Sequence, residues 1–209
     1  MNPDGIVILN GDDDKLSTIS QVHGKRPLVF GISNKDGVYA DNIKSLGLDG
    51  TSFTIHGIET ADNYSTFDLT VPVPGHHMVY NAMAAALVGS VLGLSSIEIE
   101  RGVKNLKTIA GRNNIIKENS FTIIDDCYNA NPVSMKASLD VLDTAIGRKV
   151  AILGSMFELG ENEKQMHYDV GMYLGTKDID VLITAGDLAA QIAAGTRAYI
   201  EAVSYTHLR

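Results

Sequence analysis

Asp125-Asp126-Cys127-Tyr128-Asn129-Ala130-Asn131-Pro132 is the densest run of chemistry-bearing residues in the chain. It follows an apolar, β-rich stretch at residues 121–124 and precedes a helix-forming stretch that begins at Pro132. In an open parallel sheet, ligands bind outside the carboxyl ends of the strands. Two carboxylates there can accept ribose hydroxyls or hold a metal-bound water. Tyr128 can stack on a base, and the free N–H groups of the next helix favour an anion. The same residues also read as a polar turn with an Asn-Pro helix start. Binding and catalytic residues concentrate on such loops, and composition alone leaves both readings open.

Three further clusters carry possible chemistry. In Pro74-Gly75-His76-His77-Met78-Val79-Tyr80-Asn81, two histidines stand at a helix start. Adjacent helical residues point apart, and no third ligand is in view, so a non-metal role is expected. The Asn81 amide could recognise adenine, which offers both a donor and an acceptor; spacing alone reads it as an ordinary polar helix residue. Gly111-Arg112 follows the second helix. An arginine at a hinge between domains can reach a phosphate or ribose, although a surface arginine is the default. Gly154-Ser155-Met156-Phe157-Glu158-Leu159-Gly160 resembles a phosphate loop only in its glycines. The GxxxxGK[ST] pattern occurs nowhere in the chain. His167, with Glu163 four residues before it, reads as half of a helix-surface pair. Cys127 has no evident base partner and reads as a small buried residue.

The elements that must position these residues are legible from hydrophobic period and breakers. Residues 5–9, 27–32, 38–43, 52–58 and 64–73 read as strands. In the last, Phe67, Leu69, Val71 and Val73 alternate with other residues. Pro74-Gly75 ends that run, and a helix follows over 76–92. Val79, Met83, Ala86 and Ser90 form one stripe, and Ala82, Ala85 and Gly89 a small-residue face. A second helix starts at Ser95, with Glu98 at capping-box spacing and Ile99, Val103 and Leu106 on its buried side. After Gly111 the chain alternates: strands at 121–124, 150–153 and 181–184, helices at 132–146, 161–174 and 187–194. Asn131 is placed as N-cap and Pro132 as N1. Met135, Leu139, Leu142 and Ile146 supply that helix's apolar face. Such alternation argues for an α/β protein whose second part is a parallel, doubly wound sheet, with a domain boundary near Ala110.

Bulk properties narrow the classes. The 209 residues suffice for one ordinary domain or two small ones. Net charge is −8 with no basic run, which argues against sequence-independent nucleic-acid binding. A single cysteine rules out an intrachain disulfide and fits a reducing compartment. The N-terminus lacks signal-peptide pattern, and the apolar run near residues 83–94 is too short and too interrupted to span a bilayer. A cytoplasmic protein, with no membrane or nucleic-acid partner and monomeric, is expected.

Taken together and in this order, the four clusters resemble the Mur ligase family. The matching stretches are Pro74-Gly75-His76-His77-Met78-Val79-Tyr80-Asn81-Ala82-Met83-Ala84-Ala85, Ala110-Gly111-Arg112, residues 125–132 with Ser134-Met135, and Leu153 with residues 154–160. The resemblance covers about residues 5–195. The Asp-Asp-x-Tyr-Asn-Ala-Asn-Pro run is similar to the branch that adds D-alanyl-D-alanine to a UDP-N-acetylmuramoyl-tripeptide. The resemblance implies ATP and Mg2+, an acyl phosphate on the acceptor peptide's carboxylate, and attack on it by the dipeptide amine. It also implies residues 1–110 as the rear part of a central ATP-binding domain and 111–209 as a truncated, Rossmann-like C-terminal ligase domain. Asn81 would contact adenine. Arg112 and Asp126 would contact the nucleotide, with Tyr128, Asn129 and Asn131 lining the same loop and His77, Asp125 and Ser155 as weaker candidates.

The chain departs from the family at Met78, usually Asn, and at Ser155, usually Asp; the second weakens a charge-based role for the Gly154 loop. The glycine-rich phosphate loop, the catalytic residues, the magnesium ligands and the UDP-binding domain would lie upstream of residue 1. Residues 196–209 do not continue the family's pattern, and Ser204-Tyr205-Thr206-His207-Leu208-Arg209 looks foreign. A fragment cut at both ends, inactive by itself, is therefore expected. Two alternatives remain: another Mur-type or folylpolyglutamate-type amino-acid ligase, or a nucleotide-binding module without chemistry.

Overall fold

The computed structural model describes residues 5–206. It divides into two compact units, one up to Lys107 and one from Thr108.

The first unit is built on a five-stranded mixed sheet. Its strands are β1 (Ile8–Asn10), β2 (Leu28–Gly31), β3 (Val38–Ser45), β4 (Thr51–His56) and β5 (Thr66–Val71), in sequential spatial order. β1–β2 and β2–β3 pair in parallel, β3–β4 and β4–β5 antiparallel. Alternation places one face inside: Phe53 and Ile55 of β4, and Leu69 and Val71 of β5, are buried. Gly50 makes the turn into β4 at φ +126°. A Cβ there would lie 2.2 Å from the Val71 carbonyl oxygen, so only glycine fits.

Two helices, α1 (His77–Val91) and α2 (Ser96–Lys104), complete this core. α1 buries Val79, Ala82, Met83, Ala86, Leu87 and Gly89. Ala85, expected on the small-residue face, is exposed. Gly89 provides a close approach: a Cβ would meet Ile99 of α2 at 3.2 Å. The capping box of α2 forms as its spacing requires, with the Ser95 hydroxyl accepting from the Glu98 N–H and the Glu98 carboxylate accepting from the Ser95 N–H. Burying side chains such as Phe53 and Met83 contributes roughly 1.5–3 kcal/mol each relative to exposure.

The second unit opens with a hairpin that the sequence reading lacks, β6 (Asn114–Lys117) antiparallel to β7 (Thr122–Asp125). Four residues of β6 are too few to show a period, and the hairpin turn carries no Asn-Gly or Asp-Gly signal. Then come α3 (Pro132–Asp143), β8 (Val150–Gly154), α4 (Glu163–Gly175), β9 (Val181–Ala185) and α5 (Ala190–Thr206). β8 and β9 pair in parallel, and no ladder joins β7 to β8 among the described residues. Met135, Leu139, Ala151, Met156, Val170, Leu174, Ala189 and Ile192 form the core.

Two helix ends differ from the sequence reading. α3 stops at Asp143; its last turn tightens through Thr144 N–H to Val141 O and Ala145 N–H to Leu142 O. Ile146 is left fully exposed. α5 runs on past residue 194. Gly195 reads locally as a helix stop, yet it lies inside the helix, where a Cβ would come 2.1 Å from the Tyr168 carbonyl oxygen. Across the same crossing, a Cβ at Gly171 would come 2.0 Å from Ile192 O. The two glycines let the backbones of α4 and α5 touch. Of the run that looks foreign, residues 207–209 lie outside the described residues. No described helix is long and apolar enough to cross a membrane.

Candidate functional site

In the second unit the loop after β7 is welded to the segment before β6. The Gly111 N–H donates to Asp125 Oδ2 at 2.9 Å, and the Asn113 N–H donates to Asp126 Oδ1 at 2.9 Å. In return the Tyr128 N–H donates to the Gly111 carbonyl at 2.9 Å. Gly111 is required here: its φ is +76°, and a Cβ would meet Tyr128 Cβ at 3.2 Å. The result places the Arg112 guanidinium over the Tyr128 ring, 4.2 Å from its centroid. Both side chains are exposed. One ring face is thus occupied by a cation, and the guanidinium keeps in-plane N–H groups for an anion.

The carboxylates are engaged as acceptors. The Cys127 thiol donates to Asp125 Oδ1 at 3.1 Å. That bond, and then the Gly111 N–H, hold the Asp125 carboxyl below its usual range. The same carboxylate pushes the Cys127 thiol up. Cys127 is exposed, not buried as expected, because Asp125 draws it outward as a thiol donor. A thiol with a raised pKa is a poor nucleophile. Asp126 Oδ2 accepts a short hydrogen bond from the Ser138 hydroxyl of α3.

Beyond Tyr128 the loop becomes a helix cap. Asn129 Oδ1 accepts the N–H of Ala130 at 2.9 Å. Asn131 Oδ1 accepts from the N–H groups of Val133 (3.0 Å) and Ser134 (2.9 Å), and Ser134 Oγ accepts from the Asn131 N–H at 3.0 Å. Asn131 is therefore the N-cap, with Pro132 at N1, a cap worth about 1 kcal/mol. The loop borders a cavity of about 800 Å³. Its lining includes the polar residues Asp126, Asn129, Ser138 and Ser155 together with apolar β7 and β8 residues such as Ile124 and Leu153.

Ser155 sits after β8, where its hydroxyl accepts the Ala189 N–H at 3.2 Å. Next to it, Met156 donates its N–H to His167 Nε2 at 2.8 Å, while His167 Nδ1 lies 2.6 Å from the Glu163 carbonyl. A nitrogen that accepts and one that faces a carbonyl require the neutral Nδ1–H tautomer. His167 is wholly buried. It bolts the Gly154 loop to α4 and is no surface partner of the Glu163 side chain. Only the i, i+4 spacing signalled it, and spacing does not reveal burial.

In the first unit Asn81 and His77 are exposed near the start of α1. Asn81 Nδ2 lies 3.5 Å from Met78 Sδ. Sequence reasoning missed the residue that seats this helix start. Asp12, beyond β1, accepts from the N–H groups of Ile32 (2.6 Å), Ser33 (3.0 Å) and Asn34 (2.7 Å), and from the Tyr80 hydroxyl (2.9 Å). Burial alone would raise the Asp12 carboxyl, but the amides and the phenol outweigh it and hold it low. Burial, then the hydrogen bond to Asp12, pushes Tyr80 up to about 12. The Asp12–Asp13–Asp14 run signalled only a turn. Among the described residues no three His, Cys, Asp or Glu side chains gather as a metal site.

Comparison with known proteins gives consistent matches. Residues 1–89 match the Mur ligase middle domain, and residues 111–208 match the Mur ligase, glutamate ligase domain. The chain is 33% identical over 210 residues to the UDP-N-acetylmuramoyl-tripeptide–D-alanyl-D-alanine ligase of Bacillus subtilis (strain 168), covering 99% of this chain and 44% of that protein. It is 32% identical over 188 residues to the enzyme of that name from Escherichia coli (strain K12), covering 87% and 40%. The fold superposes on a crystal structure of MurF from Acinetobacter baumannii with a TM-score of 0.83 and 30% identity, covering 93% of this chain and 42% of that one. The chain spans less than half the length of the curated relatives it matches.

Proposed function

The chain belongs to the Mur ligase family, and on that premise we propose that it forms the adenosine-binding side of an ATP-dependent ligase. That ligase joins D-alanyl-D-alanine to a UDP-N-acetylmuramoyl-tripeptide in peptidoglycan synthesis. The observation that carries the reading is the match along 99% of this chain to a protein of that name.

In this reading ATP phosphorylates the terminal carboxylate of the tripeptide. The dipeptide amine attacks the acyl phosphate, and ADP and phosphate leave. The chain's own residues bind and orient. The Asn81 amide meets adenine, which presents a donor beside an acceptor. Arg112, stacked on Tyr128, offers N–H groups to phosphate or ribose. The Asp126 carboxylate has lone pairs beyond the two hydrogen bonds it accepts, so it can also take a ribose hydroxyl. Asn129 and Asn131 extend the same polar rim, with Asp125 and Ser155 at its margin; in the first unit His77 joins Asn81 as a weaker candidate. Exclusion of water around the acyl phosphate protects it from hydrolysis. Magnesium, when bound to the nucleotide, neutralises phosphate charge; this chain's described residues are assigned no part in holding it. The protein is read as a cytoplasmic monomer.

The test uses a protein that carries this chain at the full length of its relatives. With ATP, UDP-N-acetylmuramoyl-tripeptide and D-alanyl-D-alanine it should release phosphate and form the pentapeptide product. Asn81→Ala should raise KM for ATP about tenfold, the loss expected of one directional hydrogen-bonding group. Product formed with glutamate or another single amino acid, and none with the dipeptide, would sink the branch assignment. The 209-residue chain alone should release no phosphate.

A further inference from the structure

Arg112 is an exposed arginine, and such a side chain samples many rotamers unless something holds its base. Here three consecutive amides at that base are all engaged. The Gly111 N–H goes to Asp125, the Arg112 N–H to the Ile109 carbonyl at 3.1 Å, and the Asn113 N–H to Asp126. The carbonyl of Gly111 is taken by Tyr128. The two neighbouring carboxylates therefore grip the backbone on either side of Arg112, and the ring that supports its guanidinium is tied to the same turn.

Asp126 needs its own anchor, because it lies one residue beyond the last residue of β7. The anchor is Ser138. Its hydroxyl donates to Asp126 Oδ2 from the half-buried side of α3. Ser138 stands four residues after Ser134, one helical turn on, and Ser134 already closes the cap of the same helix. A run of polar contacts thus leads from the α3 cap through Ser138 and Asp126 to the backbone of Arg112. Holding an arginine in its bound conformation lowers the entropy lost on binding.

We propose that Ser138, acting through Asp126 and together with Asp125, is a positioning residue that pre-orients the Arg112–Tyr128 pair for the nucleotide. The nucleotide part rests on the function proposed above; the positioning part does not.

The test has two arms. In the first, the 209-residue chain is labelled with 15N-arginine, and the Nε–H resonance lost in Arg112→Lys is assigned to Arg112. Stacking on Tyr128 displaces this resonance upfield, and Tyr128→Leu should remove the displacement. Ser138→Ala should lose at least half of it, Ser138→Thr should retain it, and the isosteric Asp126→Asn gives an independent reading where Ser138→Ala folds poorly. An unmoved Arg112 resonance in both Ser138→Ala and Asp126→Asn would overturn the proposal. In the second arm, the full-length protein carrying Ser138→Ala should show KM for ATP raised about fivefold with kcat within about twofold of the parent. A loss of kcat at unchanged KM overturns the nucleotide role of the clamp. Failure of the ligase reading has a separate signature: the unmutated full-length protein lacks ATP-dependent activity while the first arm behaves as expected.

Discussion

The guanidinium of Arg112 lies 4.2 Å from the centroid of the Tyr128 ring, sixteen positions away in sequence. The contact exists because Gly111, Asp125, Asp126 and Tyr128 exchange backbone and carboxylate hydrogen bonds around it. Neither residue is buried, so the pair contributes through geometry more than through stability.

Tyr128→Leu should accordingly cost little in folding, about 0.5–1 kcal/mol for an exposed cation–π contact. Its larger effect should fall on nucleotide affinity. Urea denaturation of the chain and ATP titration of the full-length protein measure the two separately. A destabilisation well above 2 kcal/mol would show that the ring has a packing role that its exposure does not indicate.

His167→Leu should be costly for the opposite reason. The leucine fills the site but strands the Met156 N–H in a buried place. An unsatisfied buried donor costs about 1–3 kcal/mol, before any loosening of the 154–160 loop. Thermal melts and amide exchange at Met156 measure both. Wild-type protection at Met156 in this variant would contradict the bolt.

Acid should weaken the first unit in a definite window. Asp62 accepts the Ser96 hydroxyl at 2.6 Å and the Ser96 N–H at 2.9 Å. The Ser96 hydroxyl first, then Thr60 and the Ser96 amide, bring its carboxyl from 3.8 to about 2. The folded value is the lower one, so the folded state binds this proton less readily than the unfolded chain. The stabilisation is complete above about pH 4 and is lost as pH falls towards 2. Asp62→Asn should flatten that part of the stability profile. A slope between pH 4 and 2 equal to the parent's would show that Asp62 does not contribute it.

The local features were readable because local rules made them. The α2 capping box, the Asn131-Pro132 start of α3 and the alternation of β5 each depend on a few neighbouring residues. The hairpin of β6 and β7 was not readable, since β6 is too short to show a period and owes its existence to its partner. Gly195 misled for a related reason: glycine marks a helix end by its own conformational freedom, and a close helix crossing by what lies opposite.

By itself, then, the sequence determined the two-part α/β plan, the loop of residues 125–132 and its position between a strand and a capped helix. These follow from period, breakers and side-chain chemistry within about ten residues. Only the tertiary structure decided what the polar groups do. It turned Asp125 and Asp126 towards the amides around Arg112, exposed Cys127, buried His167 against Met156 and made Asp12 the seat of Tyr80. Where these groups are buried, as at His167 and Met156, each partner satisfies a hydrogen bond that burial would otherwise leave open. Which donor meets which acceptor is settled by packing that brings distant residues together, and no local pattern encodes it.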